Sequence, residues 1–470
     1  MLCVVLTDPG LCLHVQQADL VELRLDLFSE IGSDSIKKIQ AQLNLPVVFT
    51  LRSQNQGGKF IGSEEQRMAI LRSLADLKPA YIDLEYGISQ EYVQWLKKTY
   101  PEIKIILSYH DFQKTPEDLS ALLSEMKRIP ADIYKIAAMA HSAIDALLLL
   151  ECCGPQVAAM AMGEWGGMTR ILAPLFASPL TYASLDDQHA SAPGQISAAT
   201  LVNLYRFRDL KPSTMIYALI GDPVDKSIGH LTHNPVMQTL GMDAVYVKIK
   251  VRSEELQDFF TLIRHMPFGG ISVTMPLKEA VMPFLDRIDP GAKQIGAVNT
   301  IVWEQGQLAG YNTDGIGALD AIEKQSCVKG KKIAILGAGG AAKAIAFQAK
   351  QRGAQVQIVN RDKDKARKLA ENCGYSHGRL DTYDILINCT PCSMPVDYED
   401  LLPKTHIMDI MTKPKATQIL QEALKRNCKI TYGYEMFVMQ AAGQFGLWFE
   451  IKNNLQVMYE KLEENALKAL

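Results

Sequence analysis

The chain has 470 residues, of which 48% are hydrophobic and 21% are charged, and its formal net charge is −3. This composition excludes a disordered protein, and the balance of charge gives no reason to expect nucleic acid or an anionic membrane as a partner. No leader sequence and no apolar run of membrane-spanning length is visible, so we expect a cytoplasmic protein of about three domains. The nine cysteines follow no disulfide or zinc spacing, and we expect free thiols and no bound metal.

The first two hundred residues alternate short, β-rich apolar runs with amphipathic stretches. Helical spacing is visible, for example, in residues 64–77 and 117–128. The strands are expected at residues 2–6, 18–26, 46–52, 80–85, 103–109, 132–137, 156–162 and 179–183. Eight strands that alternate with helices favour a parallel (β/α)₈ barrel over an open sheet.

Charged residues interrupt several of these apolar strands. The period of two in a strand places Glu22, Arg24 and Asp26 on one face, and the pattern recurs in residues 81–85. A buried network of ion pairs, such as Glu22 with Lys135, is one explanation. Because ionisable groups converge from many strands, we favour an active site at the carboxyl ends of the strands, where barrel enzymes carry their chemistry.

Lys135 lies within an apolar strand, where desolvation favours the neutral amine that attacks a ketone. The resulting Schiff base would acidify the neighbouring carbon, and His110 is a candidate general acid or base for that proton. Arg24, Arg52 and Arg170 are candidates to bind a carboxylate through paired hydrogen bonds. The residues alone therefore predict a Schiff-base barrel that acts on a small anionic ketone, as a lyase or an aldolase.

Short motifs follow the predicted barrel strands. They are Glu-Leu-Arg at 22–24, Thr-Leu-Arg at 50–52, Ser-Tyr-His-Asp-Phe at 108–112, Lys-Ile-Ala at 135–137, Met-Ala-Met-Gly at 160–163 and Ser-Ala-Pro-Gly-Gln at 191–195. Together they resemble type I 3-dehydroquinate dehydratase over nearly all of residues 1–205. The resemblance implies that Lys135 forms the imine and that His110 moves the proton. It also implies a set of substrate-binding residues, namely Glu22, Arg24, Arg52, Arg170, Ser191 and Gln195.

Gln56 departs from this resemblance, because enteric members of the family carry a glutamate there as the partner of the histidine. An amide has no negative charge with which to raise the histidine pKa. Either another carboxylate, such as Asp83 or Glu85, takes that part, or the histidine needs only to be oriented.

A second α/β pattern begins after residues 203–214, which we interpret as a helix end and a linker. A strand at 216–220 opens it. Further on, a strand at 331–336, a glycine-rich stretch, a helix to residue 351 and a strand at 355–360 follow in the order of a dinucleotide-binding fold. The amides of Gly337, Gly339, Gly340 and Ala341 are expected to approach a pyrophosphate.

Cofactor choice is indicated at the end of the strand at 355–360. An NAD enzyme places an acid there, whereas this chain has Asn360 and Arg361, with Lys365 close behind. These residues favour the 2′-phosphate of NADP, with Asp362 and Asp364 expected to face solvent. A solvated basic turn is the alternative.

Lys278 follows an apolar strand and Asp314 lies in a loop, and such a pair beside a nicotinamide relays a proton during hydride transfer. The surrounding motifs are Gly-Asp-Pro-Val at 221–224, Val-Thr-Met-Pro-Leu-Lys at 273–278, Gly-Ala-Val-Asn-Thr at 296–300, Asn-Thr-Asp-Gly at 312–315 and Asn-Cys-Thr-Pro at 388–391. They resemble shikimate dehydrogenase over residues 216–470. The resemblance implies Lys278 and Asp314 as the catalytic pair. It implies as substrate-binding residues Ser227, Thr274, Asn299 and Gln440.

Two positions depart from that family: Gly229 replaces a serine, and Thr412 stands where a tyrosine is expected. Both bear on the recognition of hydroxyl or carboxylate groups, and hence on the choice between shikimate and quinate.

The two resemblances share a metabolite, because the product of the first reaction is the substrate of the second. They imply a bifunctional α/β enzyme that dehydrates 3-dehydroquinate and reduces 3-dehydroshikimate with NADPH. A quinate dehydrogenase in the second half, or a metabolite sensor without catalysis, are the alternatives. The expected domains are a barrel at 1–208, a linker at 209–215, a substrate-binding domain at 216–314 plus 433–470, and a Rossmann NADP domain at 315–432.

Overall fold

The computed structural model describes residues 1–449, 451 and 454–470, the side chains at 372 and 373 excepted. The chain forms two compact units, Met1–Thr214 and Met215–Leu470. Residues 450, 452 and 453, which belong to the predicted range 433–470, lie outside the described part. The domain boundaries expected from the sequence stay predictions.

The first unit is built on one sheet of parallel strands. The strands are β1 Leu2–Leu6, β2 Leu20–Arg24, β3 Val47–Thr50, β4 Tyr81–Glu85, β5 Lys104–Asp111, β6 Ile133–Met139, β7 Val157–Met162 and β8 Thr181–Ser184. They lie in the order β8-β1-β2-β3-β4-β5-β6-β7. Within residues 1–214, all of which are described, no ladder joins β7 to β8, so the barrel is nearly closed. The predicted (β/α)₈ class is confirmed.

Helices follow most of these strands. They are α1 Ser33–Leu43, α2 Glu64–Ala75, α3 Gln90–Thr99, α4 Leu119–Met126, α5 Ala143–Glu151, α6 Gly166–Leu172 and α7 Ala198–Asn203. Polar side chains cap the amino termini of several of these helices. Ser63 accepts a hydrogen bond from the amide of Gln66, and Ser89 accepts one from the amide of Tyr92. Such caps satisfy amide groups that have no partner within the helix.

The strand expected at 18–26 is shorter than predicted. It ends at Arg24 because a 3₁₀ turn, Leu25–Leu27, begins there. Asp26 therefore does not continue the alternation of the strand, although its carboxylate still meets Arg24 in a two-pronged ion pair, with N–O distances of 2.9 and 2.8 Å.

The second unit contains a mixed sheet in its amino-terminal part. Its strands are β9 Met215–Gly221, β10 Ala244–Lys250, β11 Phe268–Val273, β12 Arg287–Ile288, β13 Thr300–Glu304 and β14 Gln307–Tyr311, in the order β10-β9-β11-β13-β14-β12. Its helices are α8 Gly229–Thr239, α9 Leu256–Ile263, α10 Leu277–Ala280, α11 Pro290–Ile295 and α12 Asp314–Glu323. Strands β9, β10 and β11 are parallel, and β13 is antiparallel to both β11 and β14.

A fully parallel sheet follows. Its strands are β15 Lys332–Leu336, β16 Gln355–Val359, β17 Ser376–His377, β18 Ile385–Asn388, β19 His406–Asp409 and β20 Lys429–Thr431, in the order β17-β16-β15-β18-β19-β20. The remaining helices are α13 Gly340–Gln351, α14 Lys363–Cys373, α15 Gln418–Lys425, α16 Gly433–Trp448 and α17 Leu455–Lys468. The succession of β15, the glycine loop, α13 and β16 is the predicted Rossmann arrangement. None of the helices in the described ranges is both long and apolar enough to cross a bilayer.

Candidate active sites

A cavity of about 60 Å³ in the first unit collects every residue predicted for the first reaction. Its lining comprises Glu22, Arg24, Arg52, His110, Lys135, Arg170, Ser191 and Gln195, together with Gln56, Tyr182, Met160, Met162 and several neighbours. The strands bring Glu22, His110 and Lys135 together because parallel strands present alternate residues to one face, and the segments that follow the strands contribute Arg52, Arg170, Ser191 and Gln195.

Lys135, on β6, contributes a buried amine to this cavity, with 5% of the residue exposed. Its Nζ lies 3.4 Å from Asp83 Oδ2 and 3.6 Å from Glu22 Oε1. On another side, Nζ lies 3.9 Å from the centroid of the Tyr182 ring. The buried ion pair with Glu22 is therefore present, and the same lysine also lines a cavity, so the two explanations offered by the sequence coexist.

Asp83, on β4, is held by two further groups. Arg52 Nη2 lies 2.9 Å from Asp83 Oδ1, and Ser108 Oγ donates a hydrogen bond of 2.6 Å to the same oxygen. Burial opposes the charged form of this carboxyl, but Arg52, Lys135 and Ser108 outweigh it and lower the pKa of Asp83. The pKa of Arg52 is raised: burial opposes its charge, but Asp83 and two other carboxylates overcome that effect.

His110, at the end of β5, contacts Gln56, the residue that departs from the family pattern. Its Nδ1 lies 3.0 Å from Gln56 Oε1. Burial, and then the positive charges of Arg52, Lys135 and Arg24, lower the pKa of His110 well below its usual value. Neutral His110 then carries the proton on Nδ1 and leaves Nε2 as the acceptor. Gln56 therefore orients the ring without charging it.

Arg170 differs from the other arginines of the cavity. Its Nη1 donates to the carbonyl oxygens of Ala161 (2.7 Å) and Gly166 (2.9 Å), and its buried Nε has no hydrogen-bond partner among the described residues. Burial lowers its pKa to about 10, so the guanidinium remains charged at neutral pH. Arg24 and Arg52 already face carboxylates, whereas in the described ranges Arg170 meets only carbonyl groups.

Ser191 and Gln195 lie on the loop that follows β8. Gln195 Oε1 accepts hydrogen bonds from the Ser191 amide at 2.7 Å and from Ser191 Oγ at 3.2 Å. Both polar side chains are therefore tied to each other at the edge of the cavity.

A second cavity, of about 220 Å³, lies in the second unit and collects the residues predicted for the second reaction. Its lining includes Ser227, Thr274, Lys278, Asn299, Asp314 and Gln440. Lys278 Nζ lies 2.5 Å from Asp314 Oδ2. Asn299 Nδ2 donates to the other carboxylate oxygen of Asp314 at 2.8 Å and lies 3.4 Å from Gln440 Oε1. The pairing of lysine and aspartate, which spacing along the chain does not reveal, is present.

Gly229, which replaces the serine of the family pattern, lies against Tyr246. A Cβ at this position would lie 3.1 Å from Cε1 and 3.2 Å from the hydroxyl of Tyr246. That hydroxyl donates to Ser272 Oγ at 2.9 Å, and Ser272 Oγ in turn donates to Gln444 Oε1 at 3.1 Å. The phenol of Tyr246 therefore lies beside the missing side chain, and all four residues line the cavity.

Tyr246, Ser272 and Gln444 line the second cavity but belong to none of the sequence motifs given above. For Gln444 a signal existed: it stands four residues after Gln440 on helix α16, so both lie on one face. For Tyr246 and Ser272 no local signal separates a cavity residue from a core residue.

The glycine loop after β15 leaves space for a ligand. Gly337 has φ +117°, which favours glycine, and no atom lies within 4 Å of a Cβ built on Gly339. A Cβ on Gly340 would lie 3.3 Å from Lys278 Cδ, and Ala341 lines the second cavity. The amino terminus of α13 therefore lies beside Lys278.

A third and larger cavity, of about 830 Å³, lies at the end of β16. Its basic lining comprises Arg361, Lys363, Arg367, His377 and Arg379, and Asn360 also lines it. Asp364 lines it too, together with Asp397 and Asp400; the Asp364 side chain pairs with Arg367 at 3.1 Å and is 78% exposed to solvent. Asp362 accepts a hydrogen bond from the Lys365 amide and begins helix α14. Lys365 Nζ lies 3.9 Å from Asp362, and Lys365 is not part of this lining in the described chain.

No group of three or more His, Cys, Asp or Glu side chains within the described ranges is arranged to hold a metal ion. The cysteines with described side chains are free thiols, including Cys389 and Cys392 of the only CxxC motif.

Three family models match the chain. The model for type I 3-dehydroquinase matches residues 12–212. The models for the shikimate dehydrogenase substrate binding domain and for shikimate / quinate 5-dehydrogenase match residues 219–301 and 320–420.

Curated relatives match nearly the whole chain. The shikimate biosynthesis protein AroDE of Chlamydia pneumoniae is 37% identical, covering 96% of this chain and 95% of that protein. The chloroplastic bifunctional 3-dehydroquinate dehydratase/shikimate dehydrogenase of Arabidopsis thaliana is 36% identical, covering 93% of this chain and 78% of that protein. Among solved structures, shikimate 5-dehydrogenase from Thermus thermophilus, in complex with NADP(H) and shikimate, is 31% identical with a TM-score of 0.52. That match covers 55% of this chain and 100% of the other.

Fold and sites together define a two-part enzyme, in which a barrel with a buried lysine precedes a dinucleotide-binding dehydrogenase. The Arabidopsis relative is named for both activities, and the matches to it and to the Chlamydia relative cover 93% and 96% of this chain. The chain belongs to the family of bifunctional 3-dehydroquinate dehydratase/shikimate dehydrogenase proteins. This membership does not favour a sensor without catalysis or a quinate dehydrogenase.

Proposed function

We propose that Lys135 and the Lys278–Asp314 pair are the reactive centres of two successive reactions. The chain is a bifunctional enzyme of the shikimate pathway, a type I 3-dehydroquinate dehydratase and an NADP-dependent shikimate dehydrogenase. The observation that supports the assignment of residues is the pair of cavities, each of which collects one complete predicted set.

In the first site, the amine of Lys135 adds to the ketone of 3-dehydroquinate, and water leaves to give a protonated imine. The imine withdraws electrons from the neighbouring carbon, whose proton passes to His110. Elimination of the hydroxyl group as water forms the double bond, with His110 returning the proton. Hydrolysis of the imine releases 3-dehydroshikimate and restores the amine. Neutral His110, oriented by Gln56, is suited to accept that proton.

The carboxylate of the substrate needs a cation that is not already neutralised. Arg170 fits this need because the described part of the chain offers no carboxylate to it and leaves its buried Nε without a partner. Ser191 and Gln195 line the same cavity and would bind hydroxyl groups of the substrate. Arg24, Arg52 and Glu22 complete the proposed set, with Arg52 also holding Asp83.

In the second site, Lys278 donates a proton to the carbonyl oxygen that becomes the new hydroxyl and regains a proton from solvent, while the Asp314 carboxylate orients the amine and favours its charged form. Asn299 fixes Asp314 from its other side. Ser227, Thr274 and Gln440 line the same cavity and would bind the ring hydroxyl and carboxylate groups.

The residues present fit NADP, which supplies the hydride when bound. Gly339 leaves the backbone of the glycine loop open for a pyrophosphate at the amino terminus of α13, and the amides of Gly337, Gly340 and Ala341 are proposed to approach the same group. Arg361 and Asn360 line the basic cavity at the end of β16, where a 2′-phosphate would lie. Lys365 is proposed to reach it from the first turn of α14.

A coupled assay tests both reactions at once. Incubation with 3-dehydroquinate and NADPH should give immediate loss of NADPH absorbance, because the first product feeds the second site. With Lys278→Met, 3-dehydroshikimate should accumulate while NADPH is unchanged. No accumulation in that variant would contradict the first reaction, and normal oxidation of NADPH would contradict the assignment of Lys278.

A further inference from the structure

Tyr182, on β8, lines the first cavity and lies against Lys135, which two carboxylates also face. The residue is 3% exposed, and its ring centroid lies 3.9 Å from Lys135 Nζ. Its hydroxyl is buried and has no hydrogen-bond partner among the described residues. The ring is therefore directed at the amine, and hydrogen bonding of the phenol does not account for its position.

The surroundings of Lys135 come from several strands. Asp83 and Glu22 approach its Nζ from β4 and β2, at 3.4 and 3.6 Å. Cys3 of β1 pairs with Tyr182 in the sheet, and burial raises the pKa of the Cys3 thiol well above its usual value. Arg52, which follows β3, and His110 of β5 are further titratable groups near this centre, and Arg24 and Arg170 line the same cavity.

Tyr182 itself stays neutral. Burial, and then the negative charges of Glu22 and Asp83, raise the pKa of its hydroxyl well above the usual value. The contact with Lys135 is therefore between a cation and the face of a neutral aromatic ring, an interaction that is strengthened when both partners are desolvated.

We propose that Tyr182 is a positioning residue for Lys135, whose ring face stabilises the positive charge on Nζ before and after imine formation. The proposal rests on the proposed function of Lys135. When the amine has added to the ketone and water has left, the protonated imine carries its charge at the place where the ammonium stood. The ring then stabilises the electron-withdrawing form that the elimination needs.

Two effects on reactivity follow. Because the ring favours the charged amine, it moves the appearance of the attacking neutral amine to higher pH. Because the ring also favours the protonated imine, it raises the maximal rate of imine formation. Loss of the ring should therefore move the pH profile to lower pH and lower its plateau, whereas a merely loosened cavity would lower the plateau alone.

The experiment is borohydride trapping of 3-dehydroquinate on the full-length enzyme from pH 5 to 10, with the modified lysine and the rate read by mass spectrometry. Tyr182→Phe keeps the ring and should follow the wild-type profile. Tyr182→Leu should move the midpoint down by about one pH unit. Tyr81→Leu is the matched control, because Tyr81 belongs to the same buried cluster and its ring lies near Lys104.

Where Tyr182→Leu fails to fold, fluorinated phenylalanines at position 182 keep the shape and withdraw density from the ring face. Relative to phenylalanine, which should keep the wild-type midpoint, difluorophenylalanine should lower the midpoint and trifluorophenylalanine should lower it further. An unchanged midpoint across the series, or a Tyr182→Phe profile as altered as that of Tyr182→Leu, would overturn the proposal. Absence of any wild-type adduct on Lys135 would instead refute the imine assignment.

Discussion

Lys135 in the barrel and Lys278 in the second unit lie in different kinds of surroundings. The Lys135 side chain is 6% exposed and faces two carboxylates and an aromatic ring, none of them closer than 3.4 Å. The Lys278 side chain is 19% exposed and meets one carboxylate oxygen at 2.5 Å. The positive charge of Lys135 is stabilised by several groups at moderate distances, whereas that of Lys278 is stabilised by a single short contact with Asp314.

The difference corresponds to what each lysine is proposed to do. An imine must keep its positive charge through several steps, and distributed negative and aromatic groups stabilise it in a buried site. A proton relay needs a short hydrogen bond whose proton can move. The same side chain therefore serves covalent chemistry in one unit and proton transfer in the other.

The largest effect is expected from Lys135→Ala. Dehydration should fall by at least about 10³-fold, because neither covalent attack nor the imine remains. Shikimate oxidation should be unchanged, since the Lys278 cavity is formed by the second unit. Absorbance assays of both reactions on the same preparation measure this. Lys104→Ala, which removes an exposed lysine from β5, is the control, and normal dehydration by Lys135→Ala would rule out the assignment.

Asp314→Asn tests the other half of the comparison. Loss of the charged partner of Lys278 should lower kcat for shikimate oxidation by about 10²–10⁴-fold, a typical contribution of acid–base catalysis. KM for shikimate should change less, because other residues are proposed to bind the ring. Lys343→Met, which removes a lysine paired with Glu279 at 2.8 Å, is the control. An unchanged kcat in Asp314→Asn would show that the pair is structural.

Cofactor choice should give an intermediate effect. The wild-type enzyme should favour NADP over NAD by at least about tenfold in kcat/KM, equivalent to about 1.4 kcal/mol. Arg361→Ala should erase most of this preference by raising KM for NADP. Lys365→Ala should change it less, because Lys365 lies near Asp362 and outside the basic cavity lining. Equal use of both cofactors by the wild type, or an unaltered ratio in Arg361→Ala, would refute the assignment.

The smallest effect is expected from Gln56→Glu, because Gln56 only orients His110. A carboxylate 3.0 Å from Nδ1 would favour the protonated ring and raise the pKa of His110 from its lowered value. The acid limb of the pH–rate profile for dehydration should therefore move to higher pH. Turnover at neutral pH should rise by less than about twofold. A large gain there would mean that the missing charge limits the wild-type enzyme.

Local patterns predicted most of the fold and much of both candidate sites. Period-two alternation placed Glu22 and Arg24 on one face of β2, and the order of strand, glycine loop, helix and strand indicated the Rossmann part. The predicted end of β2 was wrong, because Leu25–Leu27 forms a 3₁₀ turn. Alternation predicts the direction of a side chain only as long as the backbone remains extended.

Contacts between distant parts of the chain could not be predicted. Tyr182 and Lys135 lie on strands that are far apart in sequence, and Tyr246 beside Gly229 depends on how α8 packs on its sheet. Such contacts depend on strand register, helix packing and side-chain rotamers, none of which a local pattern specifies.

The sequence by itself determined the class of fold, the succession of its parts and the residue types available for each reaction, because backbone periodicity and glycine requirements act over a few residues. The tertiary structure decided which of those residues meet. It brought two carboxylates and a ring to Lys135, gave Asp314 to Lys278 and left Arg170 facing carbonyl groups. Charges and rings interact over only a few ångströms, so their effect on chemistry is established only when the strands and helices have packed together.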